Sequence, residues 1–465
     1  MDDLSSLSAN NLLQLYQRKQ ASPVNVVDAI LKRIEAHNPG LNAFCLLDEE
    51  RALEEASKAE TRWKRAAPIG LLDGVPVSIK DVLLTKGWPT LYGSRTVAKD
   101  QPWNVDAPVV ARLREHGAIL IGKTTTSEFH WKTVTDSPLT GITRNPWNPA
   151  LTPGGSCGGA AAAVAAGMGP LAIGTDGGGS IRVPCAFCGV FGLKPTFGRV
   201  PRYPVSAAGM LAHVGAITRD VADAALLLTA ITQPDIRDWY ALPYDGRDYR
   251  VGLGDGVKGL RIAFSPDLGY ADNDAEIAKI VEEAVTTFME LGAIVEEASP
   301  EFDDPKRIFE MHWYPDIAVI VRRIPEDKKM LMDPGLLEVA EEGARFSLEQ
   351  YLAAVRERES LGTAMQAFHE NYDLLITPTV PITAFEVGRD VPDPAKQKRW
   401  VDWTPFAYPF NLTRQPAATV PCGLTQSGLP VGLQVVGPLY REDLVLKACH
   451  AWESVKPIVL PSPAA

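Results

Sequence analysis

Segments with the 3.6-residue period of an amphipathic helix alternate with short apolar runs along almost the whole chain, and this alternation restricts the fold to an α/β sheet with helices packed on it. Ser22-Pro23 reads as an N-cap followed by a first-turn proline, with Val26, Val27, Ile30, Leu31 and Ile34 recurring behind it at helical spacing. A polar helical pattern over 51–65 gives way, after a Gly/Pro/Asp break, to a short strand over 75–80. The spacing then predicts helices over 106–116, 159–166, 220–231 and 275–291. Strands are expected between and after them over 118–121, 171–174, 260–265 and 294–297. From about 305 to 372 the chain is charged and helical, with breaks near Pro325 and Pro334; this stretch is expected to cover the sheet and shape substrate specificity. Strands return at 373–376, 417–420 and 432–436 before a closing helix near 442–452. No repeat of period 20 to 50 and no low-complexity linker interrupts the pattern, so residues 1–465 are expected to form a single domain with N-terminal helices in 1–65.

Charge and composition remove several function classes. Lys and Arg number 46 against 57 Asp and Glu, a net charge of −11, which disfavours nucleic acid or an anionic membrane surface as partner. The apolar stretch Ala160 to Ala166 is far shorter than the roughly 20 residues of a spanning helix. The start, Met1-Asp2-Asp3-Leu4, lacks a basic or apolar targeting region, and six scattered cysteines form no disulfide framework; a cytoplasmic location is expected.

Three short motifs fail on context. Gly117-Ala118-Ile119-Leu120-Ile121-Gly122-Lys123-Thr124 satisfies a phosphate-loop pattern, but its apolar middle wants to be a buried strand rather than an anion cradle. Cys185-Ala186-Phe187-Cys188 would supply half a zinc site, and none of the seven histidines completes it; no metal is expected. Gly154-Gly155-Ser156-Cys157-Gly158 matches a nucleophile elbow, yet an elbow follows a strand, and Pro146, Pro149 and Pro153 forbid a central one here.

What survives is a glycine-dense block. Gly174-Thr175-Asp176-Gly177-Gly178-Gly179-Ser180-Ile181-Arg182 offers a run of N–H groups free of side chains, able to curl around an oxyanion, and the run ends on a hydroxyl. No histidine is near in sequence to act as base. Lys80, however, closes an otherwise apolar strand, and burial lowers a lysine toward the range of a neutral base.

Five segments carry a resemblance to a known family: Gly74-Val75-Pro76-Val77-Ser78-Ile79-Lys80-Asp81, Asn145 through Gly159, Gly174 through Arg182, Phe187 through Thr196, and Gly428 through Pro438. Together they resemble the amidase signature family over about residues 5 to 455. The resemblance implies a mixed, largely parallel central sheet covered by helices on both faces. It also implies cofactor-free hydrolysis of a small or aryl-containing carboxamide by a Ser-cisSer-Lys triad. On this chain the triad falls on Ser180 as nucleophile, Ser156 as relay and Lys80 as base. Backbone N–H groups of Gly177, Gly178, Gly179 and Ser180 are then expected to hold the oxyanion, and Gly154, Gly155, Phe129 and His130 to shape the substrate site. Asp176 and Arg182 are read as a structural pair flanking the nest.

Cys157 stands where the family usually has a second serine, and Gly177 where Thr, Ile or Leu is common. The first departure is expected to weaken a hydrogen bond, the second to loosen one oxyanion donor or admit a bulkier substrate. The expected partner is a small-molecule amide, with no nucleic acid and no membrane, and a homodimer is compatible. Two alternatives stand beside an autonomous hydrolase. A glutaminase subunit of a tRNA-dependent amidotransferase commonly reads Lys-Asp-Asn where this chain reads Lys80-Asp81-Val82, and a catalytically silent binding protein would have no need of Lys80, Ser156 and Ser180 together.

Overall fold

The computed structural model describes residues 3–205 and 209–461. Strands are β1 (Phe44–Leu47), β2 (Pro76–Lys80), β3 (Ile119–Thr124), β4 (Asp136–Ser137), β5 (Gly141–Ile142), β6 (Leu171–Asp176), β7 (Phe191–Lys194), β8 (His213–Thr218), β9 (Arg261–Phe264), β10 (Ile294–Glu297), β11 (Leu374–Pro378), β12 (Ala417–Leu424) and β13 (Pro430–Val436). Helices are α1 (Ala9–Gln17), α2 (Pro23–Leu41), α3 (Glu49–Lys64), α4 (Pro108–Glu115), α5 (Gly158–Ala165), α6 (Arg182–Cys188), α7 (Val221–Ile231), α8 (Ala275–Glu290), α9 (Lys306–Arg322), α10 (Glu326–Lys329), α11 (Pro334–Gly343), α12 (Leu348–Asn371), α13 (Pro409–Leu412) and α14 (Glu442–Val455).

Eleven strands form one mixed sheet in the order β1-β3-β2-β6-β8-β7-β12-β13-β11-β9-β10, flanked by helices. Two runs are parallel, β3-β2-β6 and β11-β9-β10, and an antiparallel centre joins them. Ser22 caps α2 through Val24 N–H as its sequence signals, and Ser347 opens α12 with a reciprocal capping box with Gln350. The helices α9 to α12 fill 306–371, broken where Pro325 and Pro334 stand. The phosphate-loop look-alike is buried as β3: Lys123 Nζ donates to Leu83 O and Thr90 Oγ1, both at 2.7 Å, and no anion cradle exists there.

Eight elements are absent from the reading by periodicity: α1, β1, β4, β5, α6, α13, β7 and β8. The last two are short and interrupted by glycine, which lowers strand propensity. Packing explains the interruption. A Cβ on Gly215 would stand 2.1 Å from Leu193 O, and one on Gly192 2.6 Å from Cys185 Sγ, so β7, β8 and α6 approach closely only without side chains. All six cysteines are free thiols. No helix among the described residues is long and apolar enough to cross a membrane.

Candidate active site

β2 and β6 run parallel as neighbours, so the residues at their C-terminal ends meet. β2 ends on Lys80; β6 ends on Asp176, where the glycine block begins. The third contributor enters at the N-terminal end of α5, where Ser156 follows a cis peptide from Gly155.

The Lys80 ammonium position is crowded with acceptors. Nζ lies 2.7 Å from Ser156 Oγ, 3.0 Å from Cys157 Sγ and 3.1 Å from Thr175 Oγ1. Ser156 Oγ is in turn 3.0 Å from Ser180 Oγ. Lys80 and Ser156 are fully buried, while Ser180 keeps 6% of its surface, so this row of three polar atoms runs from the interior outward to an accessible hydroxyl. Burial pushes the Lys80 amine down from its ordinary value; Cys157 and Asp176 pull it back, and Arg202 pushes it further down. A buried neutral amine linked through one hydroxyl to another can take up a proton released at the outer end.

The glycine loop is held in shape by Asp176. Its carboxylate accepts from Gly179 N–H at 2.8 Å, from Ile181 N–H at 3.2 Å, and from Arg182 Nε and Nη2 at 3.0 and 2.9 Å. Burial opposes its charge, but Arg182 holds the carboxyl well below the ordinary carboxylate range. Arg182 is itself fully enclosed, donating to Ala407 O, Gln434 Oε1 and Asn411 Oδ1. The expected structural pair is therefore present, and it is the clamp on the nest.

That clamp corrects part of the expected oxyanion set. The Gly179 N–H is committed to Asp176 and does not point into an open nest, while Gly154, expected to shape the substrate site, donates its N–H to Thr152 Oγ1 at 3.1 Å. Gly177, Gly178 and Ser180 have no acceptor for their N–H groups among the described residues. Gly155 shapes the turn instead, since a Cβ there would stand 2.6 Å from the Val134 carbonyl carbon. Gly179 has φ +117°, a backbone that side chains avoid.

Gly177 leaves no open space where a side chain would stand. A Cβ at this position would meet Trp313 Cζ3 at 2.7 Å, and one at Gly178 would meet Phe309 Cζ at 2.7 Å and Trp400 Cη2 at 2.8 Å. The volume that Thr, Ile or Leu would occupy is filled by an aromatic roof from α9 and the segment near 400. Phe309 stacks on Trp313 at 5.7 Å and meets Trp400 edge-on at 5.5 Å. Phe129 and His130 both adopt left-handed backbones and join this wall, with the His130 ring 6.1 Å from Trp313 and Phe129 stacked on Tyr92 at 5.9 Å. Burial and the neighbouring Lys80 hold His130 neutral, well below its ordinary value.

Cys157 takes the backbone instead of the relay. Its thiol donates to Thr175 O at 3.1 Å and accepts from Thr175 N–H at 3.3 Å, while burial pushes its pKa up, against a thiolate nucleophile. Sequence reasoning missed Thr175, Phe309, Trp313, Trp400 and Arg202. Only the i, i+4 spacing of Phe309 and Trp313 signalled an inward helix face, and nothing tied that face to the glycine block.

Known proteins share this architecture. The Amidase family matches residues 25–446. The chain is 36% identical over 471 residues to an acylamidase of Rhodococcus erythropolis, covering 99% of this chain and 98% of that one. It is 38% identical over 476 residues to a glutamyl-tRNA(Gln) amidotransferase subunit from Moorella thermoacetica, covering 97% of each. Among solved structures, a bacterial aryl acylamidase of the amidase signature family superposes with a TM-score of 0.90 at 31% identity, over 97% of this chain and 96% of that one.

Proposed function

Because the chain belongs to the amidase family and so hydrolyses carbon–nitrogen amide bonds, we propose that Lys80, Ser156 and Ser180 carry the reaction as base, relay and nucleophile. The observation that carries this reading is the row of separations, 2.7 Å from Lys80 Nζ to Ser156 Oγ and 3.0 Å from there to Ser180 Oγ, ending on the outermost hydroxyl.

Neutral Lys80 takes the Ser156 proton while Ser156 takes that of Ser180, whose oxygen attacks the amide carbonyl. The N–H groups of Gly177, Gly178 and Ser180 receive the developing oxyanion, each donor contributing about 3 kcal/mol in comparable sites. The proton returns along the same row to the leaving amine or ammonia, and water then hydrolyses the seryl ester with the row acting again as base. The aromatic roof of Phe309, Trp313 and Trp400 favours a small or aryl-containing carboxamide, as does the likeness to acylamidases. Phe129 and His130 line the acyl side.

We read the chain as one cytoplasmic amidase domain, compatible with a homodimer and working without cofactor. The similarity to amidotransferase subunits keeps a glutaminase role as the second reading; turnover of simple amides by the purified chain without a partner supports the autonomous hydrolase, and absence of turnover supports the partner-dependent subunit. Incubation with a fluorophosphonate probe, followed by mass spectrometry, is expected to place the adduct on Ser180. Ser180→Ala is expected to stay folded and lose both labelling and amide turnover; equal hydrolysis by this variant overturns the assignment.

A further inference from the structure

Three buried polar atoms at the wall of the site have no hydrogen-bond partner among the described residues: Nδ1 of His130, Nη1 of Arg202 and, in the roof, Nε1 of Trp400. Electrostatics couple the first two. The Arg202 charge acts on both Lys80 and His130, and Lys80 acts on His130. Tyr92, whose phenol interacts with the Arg202 charge, stacks on Phe129, the residue preceding His130. His130 meets Trp313, the ring that closes the space beside Gly177. The segment bearing Arg202 is fixed by its own N–H, which donates to Asp238 Oδ2 at 2.8 Å. Asp316, three residues beyond Trp313 on α9, and Asp238 are the carboxylates that act on the guanidinium.

A buried donor left without an acceptor is costly, and structures keep one mainly where an acceptor arrives with a ligand. Arginine has donors only and does not lose its charge, and a neutral histidine carrying its proton on Nδ1 is also a donor. Two donors, one of them cationic, call for a group with two acceptor oxygens and a negative charge. We propose that His130 and Arg202 form an anion subsite beside the nucleophile, so that the preferred substrate is an amide carrying a carboxylate on its acyl side, the monoamide of a short dicarboxylic acid. This rests on the reading of Ser180 as nucleophile. A carboxylate brought beside Lys80 unaccompanied would draw a proton onto the amine and silence it; the fixed charge of Arg202 offsets that effect.

The test compares matched pairs, succinamate against the neutral isostere 4-oxopentanamide, and glutaramate against 5-oxohexanamide. The wild-type enzyme is expected to favour the carboxylate member of at least one pair by roughly tenfold or more in kcat/KM, mainly through KM, the scale of a hydrogen bond to a charged group. Arg202→Ala is expected to bring that ratio to within about threefold, and Arg202→Lys to keep part of it. In Ser180→Ala, calorimetry is expected to detect binding of succinate or glutarate that the added Arg202→Ala change removes. A wild-type ratio near one, or a ratio untouched by Arg202→Ala, overturns the subsite while turnover of the neutral amides leaves the triad standing. Should Ser180→Ala hydrolyse amides, the triad reading falls, and the dicarboxylate binding measurement still decides the subsite.

Discussion

Adding one methyl group at Gly177 tests whether the aromatic roof and the glycine loop are a matched pair. Gly177 does not have the left-handed backbone of Gly179, so alanine meets no conformational obstacle and the whole cost is contact. Its Cβ would stand 2.7 Å from Trp313 Cζ3, whereas ordinary contact begins at 3.4 Å, so the indole must withdraw by 3.4 − 2.7 = 0.7 Å. Little permits it: Trp313 is 2% exposed, its Nε1 donates to Trp131 O at 3.2 Å, and Phe309 is stacked on it. Overpacking of this kind costs about 1–3 kcal/mol. The alternative is for the loop to yield, which moves the Gly177 and Gly178 donors off the oxyanion position, and loss of one such donor lowers kcat by about 10²–10³. Gly177→Ala is therefore expected to lose about 1–3 kcal/mol in urea unfolding and about 10²-fold in kcat/KM. Trp313→Phe removes the Cζ3 and Cη2 atoms. Combined with Gly177→Ala it is expected to recover activity, with a coupling of about 1–3 kcal/mol in the double-mutant cycle. Full stability and activity in Gly177→Ala, or strict additivity in the cycle, would refute the argument that Trp313 occupies the missing side chain's place.

The remaining expectations concern the buried charges. The Lys80 amine sits below 10.5 because of burial, so kcat/KM is expected to fall as pH drops through its folded value and to level off above it; a flat acid limb counts against Lys80 as base. Between that value and 10.5 the unfolded chain holds one more proton than the native one, so stability rises with pH there, and the advantage of Lys80→Met in urea midpoint is expected to shrink across the same window. Asp176→Asn leaves Arg182 buried without its counter-charge and is expected to cost about 3–5 kcal/mol in urea unfolding. In the wild type this contribution is complete above pH 3.8 and is lost as pH falls through the depressed Asp176 value, an acid limb that Asp176→Asn should not show.

The parts of the molecule legible in the sequence are those whose cause is local. The Ser22-Pro23 cap, the breaks at Pro325 and Pro334, and the buried strand hidden in Gly117–Thr124 follow from propensity and pattern within a few residues. β7 and β8 do not, because Gly192 and Gly215 answer to Cys185 and Leu193 across the packing and not to their own neighbours. The same division runs through the site. Gly177-Gly178-Gly179-Ser180 announces an anion nest as a contiguous run, but that Gly179 spends its N–H on Asp176 is decided by how the loop curls back after β6. Trp313 comes from α9 and Arg202 from the segment after β7, and neither carries a local mark of the part proposed for it.

This separation has a physical origin. The proposed proton transfer needs three atoms in a row, each within about 3 Å of the next, and such tolerances are met by rigid ends of adjacent parallel strands and a helix start, here β2, β6 and α5. Choosing a substrate demands only a wall of suitable shape and charge, which any element folded over that rigid edge supplies; we assign that part to α9, which places Trp313 against a residue that has no side chain of its own. Chemistry and selectivity then meet at Gly177, where the smallest residue type keeps the donor in place and the largest fills the room beside it. Changes at 313 should consequently alter which amides are cleaved before they alter whether amides are cleaved, the reverse of changes at Lys80, Ser156 or Ser180.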